Sequence, residues 1–170
     1  MAHGVIRTDL MSGTDVGADL VSVKYMGTGT TPTAIDNGCV VKLDGLMDGE
    51  REVWKGVTPA ANTPLADIAI IATPEVMYDE RKKNLDEFEN EAGTIARGYI
   101  VHHTRNIFSV TKDALNIGAG VTPAVGYVAE LMAGTKLNIV ATATASSTVV
   151  GKIIAIETAG RYTYYVIKVN

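Results

Sequence analysis

Apolar and polar positions alternate in short runs along much of the chain, but the closing residues 151–170, GKIIAIETAGRYTYYVIKVN, break the alternation. A half-exposed strand carries apolar side chains at every second position. Here Ile154 and Ile156 fall on one parity while Ile153 and Ala155 fall on the other. The return run repeats the pattern, with Tyr162, Tyr164 and Val166 on one face and Tyr165, Ile167 and Val169 on the opposite one. A strand pair that is apolar on both faces needs cover on both. The chain's own core supplies one cover, and the second is expected from another copy of the chain or from a partner.

Further strand-like runs precede this hairpin at 19–25, 39–43, 51–55, 67–73, 98–103, 106–110, 126–132 and 136–140, which makes about ten strands in all. Between them stand residue pairs suited to positive φ: Asn37-Gly38, Asp44-Gly45, Asp48-Gly49 and Ala159-Gly160. The turns come too close together for helical crossovers, so the pattern predicts a mainly β fold, an antiparallel β-barrel or sandwich, in a single domain spanning 1–170. One segment departs from it. Residues 79–91, DERKKNLDEFENE, carry six acidic and three basic side chains, with Leu85, Phe88, Ala92 and Ile95 at helical spacing. This spacing predicts one short inserted helix near 79–92, charged on its outer face.

Composition narrows the function classes. With 170 residues the chain can bury a core without metals or disulfides, and 46% apolar against 20% charged residues is globular composition. The net charge of −4, with basic residues thinly spread, argues against a direct nucleic-acid partner. Cys39 is the one cysteine and lies in a strand-like run, which suits a small buried hydrophobe. Arg7, Asp9 and Asp15 interrupt every candidate signal-peptide core near the N-terminus. The long uncharged stretch between Lys136 and Lys152 is too short and too polar for a membrane span, so no membrane association is expected.

Catalytic and metal-binding patterns are hard to find. His102 and His103 are adjacent in a predicted strand and would leave on opposite faces, while His3 stands alone near the N-terminus. No chelating spacing appears, so no metal or other cofactor is expected. The pairs Asp79-Glu80 and Asp86-Glu87 read as solvated surface groups beside Arg81, Lys82 and Lys83. No nucleophile elbow or phosphate loop is present, and Gly27 and Gly29 belong to an ordinary loop. Trp54 is expected as a core anchor. Tyr162, Tyr164 and Tyr165 suit a core or an interface better than a sugar-stacking platform. The candidate interface set is therefore Tyr162, Tyr164, Tyr165 and Val166 on the closing hairpin, with Leu85 and Phe88 on the insertion.

Three stretches carry a resemblance. These are Asp36-Asn37-Gly38 leading into Cys39-Val40-Val41-Lys42-Leu43, then Ala69-Ile70-Ile71-Ala72-Thr73-Pro74-Glu75-Val76, and Asn106-Ile107-Phe108-Ser109-Val110-Thr111. Over the part up to Leu115 the chain resembles the head decoration, or capsid cement, proteins encoded by tailed bacteriophages. The resemblance implies a compact barrel opening at the glycine turn and a nonenzymatic virion component. It further implies a homotrimer, made in the bacterial host cytoplasm, that binds the major capsid protein and copies of itself on the capsid surface. The charged insertion and the long closing hairpin depart from the smallest members of that group. A carbohydrate-binding or fibre-attachment module on a virion is the alternative, and a hydrolase using His102 or His103 a more distant one.

Overall fold

The run DIAIIAT at 67–73 is apolar without alternation, as a strand covered on both faces must be. In the computed structural model, which describes residues 3–8, 19–101 and 106–170, its four central residues Ile68–Ile71 form a fully buried strand. Ala69 and Ile71 point into a small barrel, packing with Val23, Tyr25, Cys39, Val41 and Ala96. Ile68 and Ile70 point the other way, into a second core shared with a large sheet. The strand is thus the wall between two cores.

Twelve strands form among the described residues. The first six are β1 (Ile6–Arg7), β2 (Leu20–Tyr25), β3 (Val40–Leu46), β4 (Val53–Val57), β5 (Ile68–Ile71) and β6 (Ala96–Ile100). The others are β7 (Ile107–Thr111), β8 (Leu115–Ile117), β9 (Val128–Glu130), β10 (Leu137–Val140), β11 (Val149–Ala159) and β12 (Tyr162–Val169). Strands β2-β4-β3-β5-β6 close into a five-stranded barrel, and β1-β7-β12-β11-β9-β10-β8 form a seven-stranded sheet. The outer face of the barrel wall, Val40, Ile70, Tyr99 and Val101, packs with Phe108, Leu137, Ile139, Ile153 and Ile167 of the sheet. That shared core joins the two units. The mainly β expectation holds.

So narrow a barrel leaves little interior room, and Gly56 and Gly98 answer to it. A Cβ at Gly56 would lie 2.5 Å from Cγ1 of Val23, and one at Gly98 would lie 3.0 Å from both Val21 and Val23. Val23 is β-branched and cannot easily rotate away.

Several expectations need correction. Two pairings are parallel, β2 with β4 and β8 with β10, because β3 and β9 themselves serve as the crossovers that parallel neighbours require. Asp44-Gly45 is not a turn between strands but a bulge within β3, where the register with β4 shifts between Leu43 and Leu46. The hairpin reverses instead at Asp48-Gly49. Trp54 is half-buried and belongs to neither core cluster.

The helix predicted near 79–92 is also absent; only a single 3₁₀ turn, Leu85–Glu87, forms there. An α-helix would direct the Asn90 amide to the Asp86 carbonyl. Both groups are taken by tertiary partners: Asn90 N–H donates to the Ile35 carbonyl at 3.0 Å, and the Asp86 carbonyl accepts from His3 N–H at 3.0 Å. A helix of this length is marginal alone, so those contacts prevail. The segment runs as an irregular strap from Pro74 to Ile95. No helix of the described residues is long and apolar enough to cross a membrane.

Candidate functional site

The closing hairpin shows how its two apolar faces are covered. A bulge between Ile153 and Ala155 inserts Ile154 into β11, so that Ile153 opposes Ile167 and Ile156 opposes Tyr165 on the core face. The simple parity reading of β11 therefore fails after Ile153. Ala155, Tyr164 and Val166 lie on the second face, Ala155 paired with Val166, and Tyr164 and Val166 with Thr111 and Ser109 of β7. Tyr164 and Val166 are each only 3% exposed within the single chain. Arg7 from β1 lies over the Tyr164 ring, 5.4 Å from its centroid, and Tyr162 meets it edge-on at 6.2 Å. Cover expected from a second copy is supplied at these two residues by the chain itself. Burial accordingly pushes the Tyr164 phenol up from its ordinary value. Tyr165 is half-buried against the main core.

Tyr162 is held by the strap. Its hydroxyl donates to Asp86 at 2.8 Å, and the Arg161 guanidinium donates to the other oxygen of the same carboxylate at 2.7 Å. Partial burial opposes ionisation of Asp86, but these two partners prevail and hold it below the usual carboxylate range. Burial, and then the Asp86 bond, raise Tyr162. The strap thereby bridges to the far end of the hairpin.

A second anchor ties the strap to the barrel. Asn37 is fully buried, and its side chain donates to the Thr73 carbonyl at 2.8 Å and to Glu75 at 3.1 Å. Its carbonyl oxygen accepts from Thr73 N–H at 3.0 Å and from the Asn90 side chain at 3.1 Å. Gly38 beside it has φ +81°, and a Cβ there would lie 2.7 Å from Ala114, so the Asn37-Gly38 turn admits little else.

The strap's outward side has the opposite character. Val76, Tyr78, Leu85 and Ile95 are exposed, Tyr78 by 94%. A groove of about 520 Å³ runs among Pro74, Val76, Tyr78, Phe88 and Ile95, with Asp79, Glu89 and Glu91 along its rim. Of the predicted interface residues, Leu85 and Phe88 belong to this side, Tyr162 and Tyr165 are half-buried on the hairpin, and Tyr164 and Val166 are internal. Val76 and Tyr78 carried no pattern signal, and Ile95, Ile154 and Ile156, the last two 43% and 41% exposed, were read in the helical and strand patterns but not placed in the interface set. The helical spacing assigned Ile95 to an inward face, and the bulge after Ile153 changed the outlook of the two isoleucines.

Another, more polar hollow of about 690 Å³ lies at one side of the barrel, lined by Lys42, Lys55, Asp44, Asn62 and Asp67. Asp44 is held below its ordinary range by Lys42 first and Lys55 second. His102 and His103 lie outside the described residues. His3, Asp36 and Glu89, distant in sequence, come together beside the second anchor. The fold defines a class, a small closed barrel sharing its core with a larger twisted sheet. No protein-family model, curated protein or solved structure matches the chain.

Proposed function

We propose that the chain is a nonenzymatic head decoration protein of a tailed bacteriophage, a virion component that binds the major capsid protein and copies of itself as a trimer. The observation supporting this reading is the set of exposed apolar side chains on the strap. Asn90 and most of Asp86 face in, while Val76, Tyr78, Leu85 and Ile95 face out among exposed charged groups such as Glu80, Lys82 and Glu91. Polar anchors fix the backbone, and the apolar side is left for a protein surface to cover. Aromatic and aliphatic anchors around a groove suit adhesion. Neither nucleic acid nor membrane enters the reading.

The test mixes purified chain with undecorated heads of the encoding phage. Stoichiometric binding is expected, with Tyr78→Lys and Ile95→Lys abolishing it while leaving thermal unfolding unchanged. Failure to bind across salt and pH would overturn the proposal. A second reading, a carbohydrate-binding module on a virion, rests on the polar hollow with its lysines, carboxylates and Asn62. A glycan array repeated with Lys55→Ala separates the two.

A further inference from the structure

We propose that His3, Asp36 and Glu89 form a binding site for a divalent transition metal of the zinc class. The His3 Nδ1 lies 2.8 Å from Asp36 Oδ1 and 3.7 Å from Glu89 Oε2, and the three donor atoms all fall within 4.8 Å of one another. Zinc bonds of about 2.0–2.2 Å to such donors place tetrahedral ligand atoms roughly 3.3–3.5 Å apart. The two separations from His3 bracket that value. Coordination requires the Asp36 contact to open by roughly half an ångström and the Glu89 contact to close by a few tenths. All three side chains are partly exposed, so water can reach a fourth position.

Two features make this more than a chance meeting of surface groups. Backbone pairing fixes both carboxylates: Ile35, just before Asp36, and Asn90, just after Glu89, exchange backbone hydrogen bonds at 3.0 Å in both directions. The Asn90 side chain adds another to the Ile35 carbonyl at 3.0 Å. His3 is held in turn by its own backbone bond to Asp86. Charge supplies the second feature. Among the described residues neither carboxylate pairs with Lys or Arg, and the imidazole is their shared partner. Two fixed carboxylates and one imidazole suit zinc, cobalt or nickel in donor type. The neutral ring would offer Nδ1 to the ion and keep its proton on Nε2. Bound metal would clasp the N-terminal segment, the Asn37 turn and the strap together. No chelating spacing is visible because positions 3, 36 and 89 meet only through the fold.

Isothermal titration with ZnCl₂ and visible spectroscopy with CoCl₂ test the site on the intact chain. One ion per chain is expected, with the absorption of tetrahedral cobalt and a rise in unfolding temperature that EDTA reverses. His3→Ala, Asp36→Asn and Glu89→Gln should each weaken zinc binding at least about tenfold, a loss comparable to disturbing even an outer partner of a metal site. Glu89→Gln keeps side-chain shape, and circular dichroism verifies its fold. No saturable binding, or binding that survives all three changes and disappears with His102→Ala and His103→Ala, would overturn the assignment.

Discussion

Glu130 offers the sharpest test of the folded core. It is 1% exposed in β9, on the sheet face opposite the main core, and belongs to a row running across three strands. Asn116 donates to Asn138 at 2.9 Å, and Asn138 donates to Glu130 Oε1 at 3.0 Å. The loop after β10 closes over the carboxylate. Thr144 donates its backbone N–H to Oε2 at 2.8 Å and its hydroxyl to Oε1 at 2.7 Å. Glu130→Gln conserves shape but replaces one acceptor with a donor. If the new NH₂ takes the Oε2 place, it faces the Thr144 N–H. In the Oε1 place it faces the Asn138 NH₂, and flipping Asn138 only passes the conflict to Asn116. Either the Thr144 N–H loses its acceptor or Asn138, Asn116 and the Thr144 hydroxyl must all reorient, and in both cases the remaining bonds lose their charge, which costs about 1–3 kcal/mol.

The pH dependence supplies an independent sign. Burial raises the Glu130 pKa, but the Thr144 and Asn138 hydrogen bonds outweigh it, leaving the folded value below the ordinary 4.5. A carboxylate with a depressed folded pKa stabilises the fold fully above its unfolded value, and that contribution is lost as pH falls through the folded one. Urea unfolding of wild type and Glu130→Gln should therefore differ by a constant amount from about pH 7 down to about pH 5.5, and the gap should shrink below about pH 4.5. A penalty under about 0.5 kcal/mol at neutral pH, or one that widens on acidification, would refute the assignment of these bonds.

Gly56→Ala should destabilise the barrel by about 1–3 kcal/mol in urea unfolding, because its Cβ would press on Val23; an unchanged midpoint would mean the interior is roomier than described. Asn37→Ala removes one side of four hydrogen bonds at a fully buried site and should cost at least about 2 kcal/mol, with faster amide exchange over 73–90. Burial pushes the Cys39 thiol up to about 11, so it should resist iodoacetamide at pH 8 in the native chain and react on unfolding. Rapid native labelling would contradict that.

The strand positions were legible because most runs had to bury a face, and β5 even disclosed its place between two cores through its unbroken Ile68–Ile71. β1 and β8 escaped notice, having only two and three residues respectively, too few for a period to show. The strap was misread for a different reason. Leu85, Phe88, Ala92 and Ile95 keep helical spacing, yet the backbone bonds that decide their conformation go to His3 and Ile35, and no local pattern announces such distant partners. For the same reason the hairpin's double-sided apolarity correctly called for cover but not for its source: Arg7 and Tyr162, brought in by sheet order, supply it at Tyr164. Nothing within residues 126–132 marks Glu130 as buried, because its cover comes from the Thr144 loop.

On the proposed reading, the dimensions of the strap constrain how adhesion works. Fully burying a Val, Leu or Ile side chain contributes roughly 1.5–3 kcal/mol, and those on the strap are already partly covered, so the available gain is smaller. Association must first overcome an estimated 4 kcal/mol or more of lost translational and rotational freedom, before any side-chain ordering. A groove of about 520 Å³ on one copy therefore binds weakly. A repeating shell changes the sum, because a trimer that engages one subunit holds its other two straps at high effective concentration over neighbouring subunits, with avidity gains of about 10²–10⁴. On this reading the exposed hairpin residues Ile154 and Ile156 are proposed to hold copies together. Ile154→Lys with Ile156→Lys should then yield folded monomers whose straps are intact, yet whose head binding falls at least about a hundredfold. Monomers that bind as tightly as wild type would show that a single strap suffices, and the avidity argument would fail.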